Sequence, residues 1–244
     1  MNSDKFTPRL LGFMFLFVIV IGILSGLLLD SLNYSMTGPP DDISKTMISF
    51  SDNATIVQMS IVGFLIEAAA IVLLTVLLYT TLKNQNIIIA RWAFGLWILE
   101  AVFLAVRQIN AFSLLYTGQE YVKAGGPDPS YFQTLGSLFY ELMHFSYDVQ
   151  MVFYCIGGFL FYFLFLRSKY IPRLLALWGL IAVSVGFIGE VFALFGYDVP
   201  LYVFLPILPF ELAIGVWLIV KGFNSSAIAP ESAKTDINLN STST

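Results

Sequence analysis

Six acidic residues, one Arg and one His interrupt the long apolar stretches of this 244-residue chain. At the centre of a bilayer, an ionised acid costs about 3 kcal/mol on insertion scales. Such an acid must therefore face the interior of a helix bundle, pair with a cation or carry a proton, and it is a candidate for solute, cation or proton binding. The acids are Glu67, Glu100, Glu141, Asp148, Glu190 and Glu211, and the other two residues are Arg107 and His144.

Membrane-spanning helices are the elements that must position these residues. The chain is 58% apolar and 11% charged, with a mean hydropathy of +0.82, whereas soluble domains carry about 25% charged residues. A helix needs about 20 apolar residues to cross a bilayer, and the apolar runs are too long for the alternating strands of a membrane barrel. The sequence predicts an all-α polytopic membrane protein, a six-helix bundle with spans near residues 9–30, 57–82, 89–116, 138–166, 173–196 and 200–221.

The basic residues predict the orientation of this bundle. On one side, the predicted loops carry most of the 12 Lys and Arg residues, and the other side has only Lys45 and Lys123. The positive-inside rule then places both termini in the cytoplasm, which predicts a multi-pass protein of the inner (cytoplasmic) cell membrane. Residues 1–223 are predicted to form one transmembrane domain. The polar residues 224–244 are predicted to be a disordered cytoplasmic tail.

Two long loops are predicted on the outer side, at residues 31–56 and 117–137. Both contain Gly and Pro clusters that are typical of turns. They leave room for a small outer cap on the bundle.

Three of the acids are predicted to lie at a similar depth. At 1.5 Å per residue, Glu67, Glu100 and Glu211 all fall near the bilayer midplane, with Arg107 about 10 Å from Glu100 along its helix. Glu190 falls in the outer half of the fifth span. The predicted ligand-binding or proton-binding site comprises these five residues.

Two prolines strengthen the case for Glu211. Pro206 and Pro209 remove backbone donors just before it and are expected to break the sixth span. In membranes such breaks are tolerated where they face protein or a cavity. The break therefore predicts a site close to Glu211.

A second polar group lies along the fourth span. Glu141, His144 and Asp148 are spaced by three and four residues, which places them on one face of a helix. This outer polar stripe is expected to line a chamber open to the outer side, with His144 able to bond both acids.

Three functions fit these residues. The first is binding or transport of a small solute, cation or proton through the acidic midplane site. The second is a non-transporting sensor, scaffold or lipid-binding protein. The third is a metal-dependent hydrolase built on Glu141, His144 and Asp148, although zinc hydrolases need His-rich ligand sets and the chain has one His.

The remaining sequence patterns concern enzymatic activity, cofactors and binding partners. With no G-x-S-x-G motif present, the sequence favours a protein that is not an enzyme and predicts neither a cofactor nor a bound metal. No basic run points to nucleic acid, and the bilayer is the expected partner. Gly22 and Gly26 form a G-x-x-x-G motif that suits close helix packing, which leaves homo-oligomerisation open.

Three segments of the chain resemble the DUF4386 family of multi-spanning bacterial membrane proteins of unknown function. They are GQEYVKAGGPDPSYFQTLG (118–136), RSKYIPRLLALWGLIA (167–182) and LPFELAIGVWLIVKGF (208–223). The resemblance implies a six-helix membrane protein of prokaryotic type. It implies no particular activity.

Overall fold

The computed structural model describes residues 3–32, 42–125 and 129–224. Most of these residues are helical. The helices are α1 (Ser3–Asp30), α2 (Ile43–Asp52), α3 (Ala54–Leu82), α4 (Ile87–Lys123), α5 (Pro129–Ser168), α6 (Arg173–Leu194) and α7 (Ile207–Val220), and a short 3-10 helix spans Leu201–Val203.

Within the described residues, six stretches are helical, long and apolar enough to cross a bilayer. They coincide with α1, α3, α4, α5, α6 and the combination of the 3-10 helix with α7. The predicted all-helical, six-span architecture is therefore confirmed. Of the seven helices, α2 is the one that does not contribute to a span.

The six spans form a ring in chain order. Each span packs against the next, and α7 returns to pack against α1. The ring closes tightly there, because a Cβ atom added at Gly12 of α1 would lie 2.5 Å from the carbonyl oxygen of Gly215 on α7. Two apolar clusters stabilise the bundle, one including Leu11, Leu78 and Phe165 and the other including Leu29, Met47 and Tyr140.

Both ends of the described chain lie on the same side of the bundle. The Asn224 side-chain amide donates to the carbonyl of Lys169 at 2.8 Å, and Gly222 lies beside Pro8. We call this the terminal side and the opposite end the distal side. An even number of spans requires this arrangement, and the cytoplasmic position of the terminal side remains a prediction from the basic residues.

On the distal side, where long loops were predicted, α2 packs against α4 and α5. Residues 43–52 form α2, and α4 and α5 extend into the expected 117–137 loop, so the loop predictions are wrong for residues 43–52, 54–56, 117–123 and 129–137. The Asp42 side chain accepts a 2.9 Å bond from the backbone N–H of Ser44, which caps the N-terminus of α2. Met47 and Phe50 then pack fully buried against the bundle.

The sixth span is only partly α-helical. With 14 residues, α7 is about 21 Å long, whereas the hydrocarbon core is about 30 Å thick. Residues 201–206 supply the rest as a 3-10 helix and a turn, and α7 begins directly after Pro206. The predicted break is therefore present, and it places Glu211 in the second turn of α7.

The predicted disordered tail, residues 224–244, lies outside the described residues except for Asn224.

Candidate functional site

A cavity of about 720 Å³ lies inside the ring on the distal side. Its walls come from α1, α3, α5, α6 and the segment of residues 197–204 that precedes α7. Ligand pockets have volumes of about 300–1,000 Å³. No Lys or Arg of the described ranges lines this cavity, and its ionisable lining residues are Asp30, Glu141, His144, Asp148, Glu190 and Asp198.

These ionisable residues are arranged by depth. Asp30, Glu141 and Asp198 are exposed at the rim, whereas His144 and Asp148 are half-buried further in. The remaining acid, Glu190, is only 2% exposed. A ligand that enters therefore passes from a hydrated acidic rim to a buried carboxyl group.

The outer polar stripe on α5 forms one wall of the cavity. Glu141, His144 and Asp148 all line it, as their shared helix face predicts. Nδ1 of His144 lies 3.0 Å from the carbonyl oxygen of Tyr140. A carbonyl oxygen only accepts hydrogen bonds, so Nδ1 carries the proton of this contact, which fixes the ring on the wall.

Glu190 combines burial with an incomplete set of polar contacts. Its Oε2 atom is inaccessible and has no hydrogen-bond partner among the described residues. It also lies within electrostatic range of the Asp148 carboxyl. Buried polar atoms are nearly always satisfied in folded proteins, so Glu190 is an exception in the wall of this cavity.

Arg107 lies directly behind the cavity wall. It is 4% exposed, and its guanidinium carbon is 5.3 Å from the centre of the Phe64 ring and 5.1 Å from that of Tyr147. Both rings line the cavity. Within the described ranges no carboxylate approaches this guanidinium to 4 Å, so cation–π contacts hold it in place.

The predicted midplane acids come together on the inner side of Arg107. Glu67 on α3 lies within electrostatic range of Arg107 and of Glu211 on α7. Glu100 on α4 is 5% exposed and lies within range of both other acids. We call Glu67, Glu100 and Glu211 the midplane cluster.

Specific contacts hold two members of the midplane cluster. The hydroxyl of Tyr154 on α5 donates a 2.6 Å hydrogen bond to Oε1 of Glu211. The Glu67 carboxyl lies against Gly22, where an added Cβ would be 2.6 Å from Oε1. Gly22 itself lines the cavity, so only the α1 backbone separates Glu67 from it at this point.

A family model for the domain of unknown function DUF4386 matches residues 10–222. The chain belongs to the DUF4386 family. No curated protein and no solved structure matches this member. The match extends from α1 to just beyond α7, so it includes both the cavity and the midplane cluster.

In this DUF4386 member, the predicted site residues separate into two layers. Glu67, Glu100, Arg107 and Glu211 are neighbours, but none of them lines the distal cavity. Glu190 lies with the outer polar stripe instead. The rotation of each helix about its axis determines this separation. The depth of a residue along its helix gives its level in the bundle but does not say which side of the ring its side chain faces.

Several residues of the site were not predicted from the sequence. Tyr154 holds Glu211, and Phe64 and Tyr147 hold Arg107. A usable signal exists for the tyrosines, because Tyr residues deep in an apolar span bring a hydroxyl that needs a partner. Tyr147 and Tyr154 are also seven residues apart, which places them on one face of α5.

The hydrolase hypothesis requires a metal site built from the outer polar stripe. Among the described residues, no group of three or more His, Cys, Asp or Glu side chains is placed to hold a metal ion. Glu141, His144 and Asp148 share a wall without forming such a group. Cys155 is buried in the apolar core of the bundle.

Proposed function

We propose that this DUF4386 protein binds a small organic cation in its distal cavity. The observation that carries the proposal is Glu190, which is buried in the cavity wall with one carboxylate oxygen unpartnered among the described residues. Four further acids line the cavity, and no Lys or Arg of the described ranges does so. A cation in the cavity reduces the repulsion between neighbouring acids.

The rest of the lining favours an organic cation. Aromatic and aliphatic side chains alternate with the acids, among them Ile23, Leu27, Tyr197 and Phe204. Ligand pockets of this mixed kind use apolar walls for affinity and a few charged groups for orientation. An amine or quaternary ammonium with a small apolar body matches this lining.

A matched pair of ligands tests the proposal. Choline and 3,3-dimethyl-1-butanol have nearly the same shape, but only choline is charged. For the purified protein in lipid nanodiscs, we expect saturable choline binding by calorimetric titration and no saturable binding of the neutral alcohol. Equal binding of the two, or no binding of choline, would contradict the proposal.

The midplane cluster favours a second candidate function, in which cation binding is coupled to proton exchange. Oε2 of Glu67 and Oε2 of Glu100 are buried without a hydrogen-bond partner among the described residues. The three acids of the cluster lie within electrostatic range of one another, and Glu67 is the one within range of Arg107. A bound proton reduces the repulsion between such neighbouring acids. An organic cation and a proton compete for the same negative field. We therefore propose that the protein exchanges one for the other.

A flux assay tests this second function. In liposomes that contain a pH-sensitive dye, external choline should raise the internal pH as protons leave in exchange. Glu100→Gln and Glu211→Gln should abolish the change. Glu120→Gln should preserve it, because Glu120 is on the distal end of α4 and pairs with Lys123 at 2.9 Å. An unchanged signal in the first two variants would exclude the midplane cluster as the exchange site.

The sensor or scaffold hypothesis is less well supported by the geometry. That hypothesis predicts a closed cavity filled by side chains, whereas this cavity has a volume of about 720 Å³. The G-x-x-x-G motif also faces inward, since Gly22 and Gly26 both line the cavity. The motif therefore gives no support for a dimer through this face of α1.

A further inference from the structure

A second, apolar groove of about 390 Å³ lies beside the distal cavity. Its floor is α6, through Val185, Ile188 and Phe192, and its edge is the segment that precedes α7. Ile188 is 56% exposed, and it lies on α6, one of the six helices that fit a membrane span. The groove therefore faces the acyl chains of the bilayer.

The groove and the cavity meet at one short stretch of chain. Tyr197, Asp198 and Val199 line both of them. This stretch is not helical. One segment of backbone with its side chains therefore separates the acidic cavity from the apolar groove.

Close packing holds the segment before α7 against α6. A Cβ added at Gly189 would lie 2.8 Å from Cγ1 of Val203 and 3.3 Å from Cγ1 of Val199. The absent side chain lets the segment lie flush on the helix. The next residue, Glu190, lines the cavity, so the groove floor and the buried carboxyl are adjacent on α6.

We infer that the organic cation is an amphiphile, whose charged head occupies the cavity and whose alkyl chain crosses residues 197–199 into the groove. This inference rests on the proposed function and names its ligand class. The acidic lining favours a cationic head group. An anionic phosphate would be repelled by the five acids of the cavity, whereas an ammonium group would be attracted to them. The groove favours an alkyl chain on the ligand, since the side chains of its floor are aliphatic and aromatic.

A series of alkyltrimethylammonium ions tests the inference, with the alkyl group lengthened from methyl to hexyl. In nanodiscs, we expect affinity to rise about fourfold for each methylene that the groove removes from water. Ile188→Trp fills the groove and should abolish this rise, while tetramethylammonium binds as it does to the wild type. Ile181→Trp is the matched control, because Ile181 lies two turns away on the same face, is 63% exposed and does not line the groove.

The outcomes separate this inference from the function on which it rests. If tetramethylammonium binds but chain length has no effect on the wild type, the groove is not part of the site and the inference is wrong. The same conclusion follows if Ile188→Trp and Ile181→Trp show the same dependence on chain length, because membrane partitioning then explains it. If tetramethylammonium does not bind at all, both the proposed function and the inference fail.

Discussion

The hydroxyl of Tyr154 donates a 2.6 Å hydrogen bond to Oε1 of Glu211. The bond joins α5 to α7 within the apolar core of the bundle. The carbonyl of Tyr154 in turn accepts a 3.0 Å bond from Nε1 of Trp97 on α4. One residue of α5 thus links two other spans, and it fixes the position of the acid that follows the break in the sixth span.

Tyr154→Phe should lower the free energy of unfolding by about 1 kcal/mol, because it removes the hydrogen bond to the partly buried Glu211 carboxyl. The measurement is reversible unfolding in mixed micelles of SDS and dodecyl maltoside. Tyr116→Phe makes the same chemical change at an exposed position of α4 and should have little effect. Equal losses in the two variants would mean that the hydrogen bond does not stabilise the fold.

Arg107→Gln should destabilise the protein by about 2 kcal/mol, because it removes the buried cation–π contacts with Phe64 and Tyr147. Adding Glu67→Gln should recover part of this loss, since Glu67 is the midplane acid within electrostatic range of Arg107. The double-mutant cycle is measured by the same unfolding assay. Strictly additive losses would show that Arg107 and Glu67 do not interact.

Gly22→Ala should be less stable than Gly26→Ala by about 1 kcal/mol, because its methyl group would contact the Glu67 carboxyl and force that side chain to move. Gly26→Ala is a matched control one turn away, since nothing lies within 4 Å of a Cβ added there. It should be neutral or slightly stabilising, because Ala favours the helix over Gly. Similar stabilities for the two variants would show that the Glu67 carboxyl is not held against Gly22.

Ala193→Trp should block choline binding without unfolding the protein. Ala193 lines the cavity, and an indole there occupies the space of a ligand. Leu194→Trp is the control, because the next residue on α6 is exposed and lines neither the cavity nor the groove. Calorimetric titration gives binding, and circular dichroism reports on the fold. Retained binding in Ala193→Trp would show that the cation binds outside this cavity.

The six spans could be predicted because run length and hydropathy are properties of single segments. The face shared by Glu141, His144 and Asp148 could also be predicted, since it depends only on the period of one helix. The common level of Glu67, Glu100 and Glu211 also follows from the rise per residue, and the three acids do lie within electrostatic range of one another. Their depth in the bilayer stays a prediction.

The relation between helices could not be predicted in the same way. These spans are apolar on nearly every side, so the sequence carries little information on which face meets which neighbour. Glu190 shows the consequence, because its depth fits either polar group and only the rotation of α6 places it on the cavity wall. The α2 helix was missed for another reason, since ten residues between turn-forming segments are too short for a clear periodic pattern.

Glu190→Gln tests the central claim of a cation site most directly. The substitution keeps the size of the side chain and removes only its charge. Choline binding to the variant in nanodiscs, measured by calorimetric titration, should weaken about thirtyfold, which corresponds to about 2 kcal/mol for the loss of a buried charge partner. Glu120→Gln, which removes an exposed acid outside the cavity, should bind choline as the wild type does. Unchanged choline affinity in Glu190→Gln, with the wild type binding choline, would contradict the claim that this carboxyl holds the cation.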